Sequence, residues 1–257
     1  MPEIKPLIKG VLRRTISKIS AFWYSGETFI CPICNGHFRR MKSYKKSYYI
    51  KGELVDCSTK NAICPNCYSD IRHRFILIFL TKNTNLLSEN IKLLHFAPET
   101  GIMNYLNKQE NIEYIACDID PSRYSKAIKV DITDIIFADN SFDAIICNQV
   151  LEHIRDDLRA IKELYRVLKP GGWVLLSVPI YGETTFEQPE LDYKGREKMY
   201  GIGEHMRLNG LDLERKLTKE GFSVSIYSID DIPGEYVDRS VHTPHTESDK
   251  YLFYCIK

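Results

Sequence analysis

The sequence predicts an α/β protein in which a doubly wound, mostly parallel seven-stranded sheet follows a small cysteine-bearing module. Three observations predict it. From residue 91 onward, apolar runs of strand length alternate with segments of helical period. Ahead of them stand two Cys-x-x-Cys pairs, and aspartates close two successive strand-like runs. A chain of 257 residues, 44% hydrophobic and 27% charged, can bury a sizeable core and is too apolar to stay disordered.

The elements follow in chain order. Ile4, Leu7, Ile8, Val11, Leu12, Ile16 and Ile19 recur at helical spacing among Lys5, Lys9, Arg13, Arg14 and Lys18, so residues 1–27 are expected to hold an amphipathic basic helix. Such a helix suits peripheral contact with an anionic membrane or nucleic acid; packing on its own domain or a second subunit is the plainer reading. Residues 28–70 carry Cys31 and Cys34 in "CPIC" and Cys64 and Cys67 in "CPNC", with 29 residues between the pairs. A two-residue gap lets both thiolates of a knuckle face one ion while following amides donate to the sulfurs. Two knuckles make the four-sulfur set of a structural Zn²⁺ site, closed to substrate; iron or two redox pairs are the alternatives. Cys57 fits the ligand spacing less well, and the Tyr- and Lys-rich segment between the pairs is expected to form a hairpin or irregular loop.

Within residues 71–257, "IKLLHFA", "IEYIACD", "AIKVD", "FDAIICN" and "GGWVLLSVP" read as strands, with a short helix after the first. The helix "LRAIKELYRVLK" precedes the fifth, and "KPGG" ends it, with Gly171 available for positive φ. Cys117, Cys147 and Cys255 fall in strands and read as core thiols. Residues 180–206 look irregular; a helix near 210–219 and the strands "FSVSIYS" and "KYLFYCIK" follow, the two strands expected as an antiparallel hairpin at the sheet edge.

Charge is distributed unevenly: residues 1–90 hold 15 Lys+Arg against 6 Asp+Glu, and residues 91–257 hold 20 against 28. The front is basic and the back acidic. No run reaches the roughly 18 apolar residues of a membrane span, and no signal-peptide core opens the chain. A cytoplasmic protein with reduced cysteines is expected; the oligomeric state is not legible.

In a doubly wound sheet, ligands bind beyond the carboxyl ends of strands, where the strand order reverses. Asp118, ending the second strand, can accept from both ribose hydroxyls of a nucleoside. Asp131, ending the third, can accept from an adenine amino group with the Ile132 amide as partner. Each could instead be a helix cap.

The run "FDAIICNQVLEHIRDDLRAIKELYRVLKPGGWVLLSVP" resembles the class I S-adenosylmethionine-dependent methyltransferases of the type 11 group, and the resemblance extends over roughly residues 91–257. "CPNCYSDIRHR" followed by "LLHFAPETG" is similar to a bacterial branch in which a cysteine module precedes such a domain. The resemblance implies a Rossmann-like methyltransferase that takes its methyl from S-adenosylmethionine. It also implies a cofactor loop at Leu93–Gly101, where His95, Ala97 and Glu99 stand at positions that spaced glycines and an acidic residue usually hold, and Gly101 keeps the last. Ala97 is small enough for close approach, and Glu99 can face the cofactor's ammonium group or simply cap the next helix. A degenerate, non-binding loop is the alternative.

Methyl transfer by in-line displacement depends mainly on alignment, so a general base is optional. His205 and Arg207 in "GEHMRLNG" are two residues apart, so in extended backbone both side chains would leave on one face and clamp an acceptor. His153 in "LEHI" is a second positioning group or a helix-start hydrogen-bonder, and Asn148 ends the fourth strand beside cofactor or substrate. Arg72–Arg74 read as basic surface. The expected acceptor is a sugar, glycan precursor or other small metabolite, methylated on O or N. The alternatives are an RNA methyltransferase using the basic front and a non-catalytic scaffold that retained the fold.

Overall fold

The computed structural model describes residues 22–124, 126–232, 234, 239–241 and 249–257. The apolar and basic positions of the expected N-terminal helix, through residue 21, lie outside the described residues. Residues 22–24 are helical and the chain then enters a strand, so the helix does not continue to residue 27.

The cysteine module is built from three antiparallel pairs. β1 (Ser25–Cys31) and β2 (Gly36–Phe38) flank the first knuckle, with Cys31 opposite Gly36. β3 (Lys42–Tyr44) pairs with β6 (Thr59–Ile63). Between them β4 (Ser47–Ile50) and β5 (Glu53–Asp56) form the expected hairpin, Tyr48 opposite Val55. Its two turn residues, Lys51 and Gly52, both have positive φ (51° and 82°), the geometry that matches strand twist in two-residue hairpins.

The α1 helix (Ile71–Asn83) starts with a capping box: Asp70 accepts from the His73 amide at 2.9 Å, and the His73 ring accepts from the Asp70 amide. Its run Phe75–Leu80 is buried throughout. An element apolar on all sides carries no helical period, which is why the pattern of the sequence does not reveal it.

Seven strands make the main sheet: β7 (Ile91–Phe96), β8 (Ile112–Asp118), β9 (Ile128–Lys129), β10 (Phe142–Asn148), β11 (Leu168–Ser177), β12 (Ser223–Ser228) and β13 (Tyr251–Ile256). Their order is β12-β13-β11-β10-β7-β8-β9, and β13 runs opposite to the other six. The fold is the Rossmann-like doubly wound one. Helices α2 (Thr100–Leu106), α3 (Asp157–Val167) and α5 (Leu213–Glu220) match the expected positions. Residues alternate between two cores along β10: Ile145 and Cys147 pack with Ile161 and Leu164 of α3, and Ala144 and Ile146 with Phe75 and Phe79 of α1. Cys117, Cys147 and Cys255 are fully buried strand thiols, as expected.

The last two strands pair antiparallel at the sheet edge, as expected, with β13 lying between β12 and β11. Three expectations are corrected. The third strand is only Ile128–Lys129, and Asp131 lies past it in a turn. The α3 helix stops at Val167, with Leu168–Pro170 already in β11, although Gly171 does take positive φ (77°). Residues 180–206 contain α4 (Tyr193–Tyr200), bounded by Asp192, which accepts from the Gly195 amide at 2.7 Å, and by Gly201 at φ 81°.

The module is fastened to the sheet domain. Arg74, fully buried, donates to the carbonyls of Ala62, Ser69 and Ser240, so it joins three segments rather than lying on a basic surface. The hairpin turn reaches α4, where the Lys51 amide donates to Met199 O at 2.8 Å.

Candidate functional site

The sheet order reverses between β7 and β10, and two cavities open beyond the carboxyl ends of these strands. They share Gln149 and His153. The larger, about 660 Å³, is lined by Ala97, Asp118, Asp131 and Ile132, and covered by Tyr193 and Arg196 from α4. The smaller, about 460 Å³, has one wall from the module, including Tyr44, Lys45 and Lys46, and another from Arg72, Glu152 and His205. Both volumes are in the range of small-molecule sites.

Two backbone positions at the strand ends are strained. Ala97, after β7, has φ 45°, and Gln149, after β10, has φ 54°. The left-handed region costs a non-glycine residue ~1–2 kcal/mol, so each needs an anchor. Ala97 N donates to Cys117 O at 2.8 Å and Gln149 N to Ser177 O at 2.7 Å. Ala97 therefore takes the conformation for which a glycine would be the usual choice. The loop is a formed turn, and its sequence looks unusual because an alanine holds the left-handed position.

Asp118 is nearly buried, with Oδ1 accepting from the Asp120 amide at 2.8 Å. Tyr124 lies beside it, its phenol pushed up to about 12 by burial and by the Asp118 charge. Asp131 is exposed; one oxygen accepts from both the amide and the hydroxyl of Thr133 at 2.8 Å, which holds its carboxyl below the usual range. Ile132 is buried beneath it and lines the same cavity.

Four of the residues expected at the cofactor are engaged elsewhere. His95 is fully buried, with one ring nitrogen 2.9 Å from Tyr114 Oη and the other 3.1 Å from Glu99 Oε2. Glu99 is thereby turned toward His95; burial alone would raise its pKa, but the His95 hydrogen bond and nearby cationic groups lower it. It is the N-cap residue of α2 without a side-chain capping bond, so the capping alternative also fails. Gly101 is packed against the module: a Cβ there would lie 3.0 Å from Ile33 Cγ2. Asn148 is buried and accepts from Ser177 Oγ at 3.0 Å.

At the smaller cavity, His205 and His153 meet in a T-shaped contact with ring centroids 4.9 Å apart. Burial, together with the neighbouring His153, holds His205 down at about 4, so its ring is neutral near pH 7. Arg207 does not join it. The chain turns here, with His205 N donating to Ile202 O and Met206 N to Glu152 O, so the extended geometry expected of "HMR" is absent. Arg207 is 2% exposed and spends its fork on Glu187 (2.9 and 3.1 Å) and on the carbonyls of Leu151, Ile154 and Arg155. It clamps the loop that carries Glu152 and His153.

Sequence reasoning missed Glu152, Gln149 and Arg72. Glu152 is 1% exposed, neither carboxylate oxygen has a hydrogen-bond partner among the described residues, and burial pushes it up to about 8. Arg72 pairs with Asp249 at 3.6 Å and Asp70 at 3.9 Å on the cavity wall. The one available signal was the acid–histidine pair directly after the fourth strand.

The four cysteines of the knuckles converge. Their sulfurs lie within 4.8 Å of one another, with Cys31–Cys67 at 3.6 Å and Cys34–Cys64 at 3.7 Å. A tetrahedral ion with ~2.3 Å bonds would space its sulfurs by ~3.8 Å. The Cys67 amide points at Cys64 Sγ, as a metal knuckle requires. Cys57 is not part of this group; it lines the smaller cavity.

Residues 94–176, which run from β7 through β11, match the protein family described as "Methyltransferase domain". This segment resembles a methyltransferase domain. It is similar to phosphoethanolamine N-methyltransferase 2 of Caenorhabditis elegans, 32% identical over 98 residues that cover 37% of this chain and 22% of that protein. It is also similar to demethylmenaquinone methyltransferase of Corynebacterium glutamicum, 28% identical over 104 residues, covering 35% of this chain and 45% of that protein. The chain thus spans less than half the length of either relative. A solved S-adenosylmethionine-dependent methyltransferase from Archaeoglobus fulgidus aligns with 72% of this chain and 94% of its own, at 16% identity and a TM-score of 0.47. The matched segment contributes Ala97, Asp118, Asp131, Ile132, Gln149 and His153 to the larger cavity, and no helix among the described residues is long and apolar enough to cross a membrane.

Proposed function

We propose that this chain is an S-adenosylmethionine-dependent methyltransferase that methylates a sugar, glycan precursor or other small metabolite on oxygen or nitrogen. The observation that carries the reading is the pair of cavities meeting at Gln149 and His153, one formed at the strand ends of the methyltransferase domain and the other of small-molecule size and walled by the cysteine module. The larger cavity fits the cofactor: Asp118 would hold the ribose hydroxyls, Asp131 and the Ile132 amide the adenine edge, and the left-handed Ala97 lets backbone approach the methionine part. The cofactor supplies an electrophilic sulfonium methyl. The chain's own contribution is alignment of an acceptor in the smaller cavity, whose wall includes His205 and His153, with water displaced from both chambers. At about 4, His205 is a weak base, so it orients rather than deprotonates.

We infer that the four cysteines hold a structural Zn²⁺, which would fix the module wall of the acceptor cavity. Calorimetry with S-adenosylmethionine tests cofactor binding. Transfer of labelled methyl to nucleotide sugars and glycan precursors, with extracted RNA as the competing arm, tests the acceptor class. Label entering RNA alone would replace the small-molecule reading with the RNA one, for which Lys45 and Lys46 at the cavity rim would supply phosphate contacts. No binding of S-adenosylmethionine would leave a scaffold.

A further inference from the structure

One cluster at the junction of the cavities has no role in methyl-donor binding. Ligand-capable atoms of Glu152, His153 and His205 lie within 4.8 Å of one another. Glu152 is 1% and His205 5% exposed, yet both carboxylate oxygens of Glu152 and Nδ1 of His205 lack hydrogen-bond partners among the described residues. Buried polar groups of this kind are normally satisfied, and a buried carboxylate without a partner calls for a cation or a proton.

The backbone that presents these groups is held on both sides. Arg207 binds the carbonyls of Leu151, Ile154 and Arg155, and Met206 N donates to Glu152 O at 2.8 Å, so the Glu152–His153 loop and the His205 segment are stapled together.

We propose that Glu152, His153 and His205 bind a divalent transition-metal cation between the two cavities, and that the acceptor is held there through a hydroxyl oxygen. Two imidazoles and one carboxylate suit ions of the zinc, cobalt, iron(II) and manganese type. Three protein ligands leave open positions, unlike the four-cysteine site. His153 borders both cavities, so those positions would face the place where acceptor and methyl must meet. A Lewis acid there lowers the pKa of an acceptor hydroxyl, whose proton passes to water. The oxygen then bonds to the methyl carbon, the carbon–sulfur bond breaks, and its electron pair stays on sulfur. This catalytic consequence rests on the methyltransferase reading above and narrows it to oxygen acceptors; the metal site itself does not depend on turnover.

The test is titration of Co²⁺ into the full-length, zinc-loaded protein, read by visible absorption and by elemental analysis after dialysis. The expected result is one cobalt per chain beyond the resident zinc, with d–d bands of a nitrogen–oxygen site and no thiolate charge-transfer band. Glu152→Gln, nearly isosteric, and His205→Ala should each weaken cobalt binding at least tenfold while the zinc content stays unchanged. No cobalt bound by the wild type, or cobalt retained undiminished in both variants, overturns the proposal. Calorimetry with S-adenosylmethionine on the same preparations separates that outcome from a failure of the methyltransferase reading.

Discussion

Arg207→Ala distinguishes a structural arginine from an acceptor clamp. Arg207 is 2% exposed and makes five hydrogen bonds, three to main-chain carbonyls and two to Glu187. Removing it leaves the carbonyls of Leu151, Ile154 and Arg155 without their charged donor, at ~1 kcal/mol each. Glu187 is 31% exposed, so solvent screens the loss of that pair and ~1 kcal/mol is added. The total is ~4 kcal/mol, within the range for breaking a buried ion pair by deleting one partner. With a urea slope of ~3 kcal/mol/M, the unfolding midpoint should fall by ~1.3 M. Arg207→Lys should recover little, because an ammonium cannot reproduce the planar fork on several acceptors. Urea unfolding followed by tryptophan fluorescence measures both. A variant with the wild-type midpoint but weakened acceptor binding would refute the argument and return Arg207 to the acceptor site.

Asp118→Ala should weaken S-adenosylmethionine binding by ~1.5–3 kcal/mol, the range for hydrogen bonds to a charged group, and calorimetry on the folded variant reads it directly; unchanged affinity moves the ribose site elsewhere. The freshly purified, reduced protein should retain one zinc per chain in the four-cysteine site, lost in Cys34→Ser together with Cys67→Ser. Elemental analysis that finds no metal in the wild type rejects it. Glu99 is held below its ordinary value of 4.5. A depressed folded pKa gives stability that is present above the unfolded value and lost as pH falls through the folded one. Glu99→Gln should therefore flatten the decline in stability below about pH 4.5 and leave cofactor affinity nearly intact. An unaltered acid-unfolding curve, or a large loss of cofactor affinity, counts against the buried His95–Glu99 pairing.

The sequence by itself determined the elements whose physical cause is local. Alternation of apolar residues marks the strands of a buried sheet, the period of "LRAIKELYRVLK" marks α3, and two-residue cysteine gaps mark the knuckles. Position at or just past strand ends was enough to place Asp118, Asp131 and Ile132 on the wall of the larger cavity, because the reversal of strand order in a doubly wound sheet opens the cavity there. Ala97 was legible as a small residue in an unusual loop, but its left-handed backbone is imposed by the hydrogen bond to Cys117 on the neighbouring strand. The direction in which a side chain points depends on such long-range contacts. His205 and Arg207 share a short motif, yet a turn sends His205 to the cavity wall and Arg207 into the loop it clamps. Glu99 could have faced a ligand; a buried histidine four residues earlier captured it. Only the tertiary structure brought Tyr44 and Lys46 of the module opposite Glu152 and His205, and only burial turned Glu152 from one acid in a charged chain into a carboxylate without a hydrogen-bond partner among the described residues. Partners and solvent access are properties of packing, and packing joins residues that the sequence keeps more than a hundred positions apart.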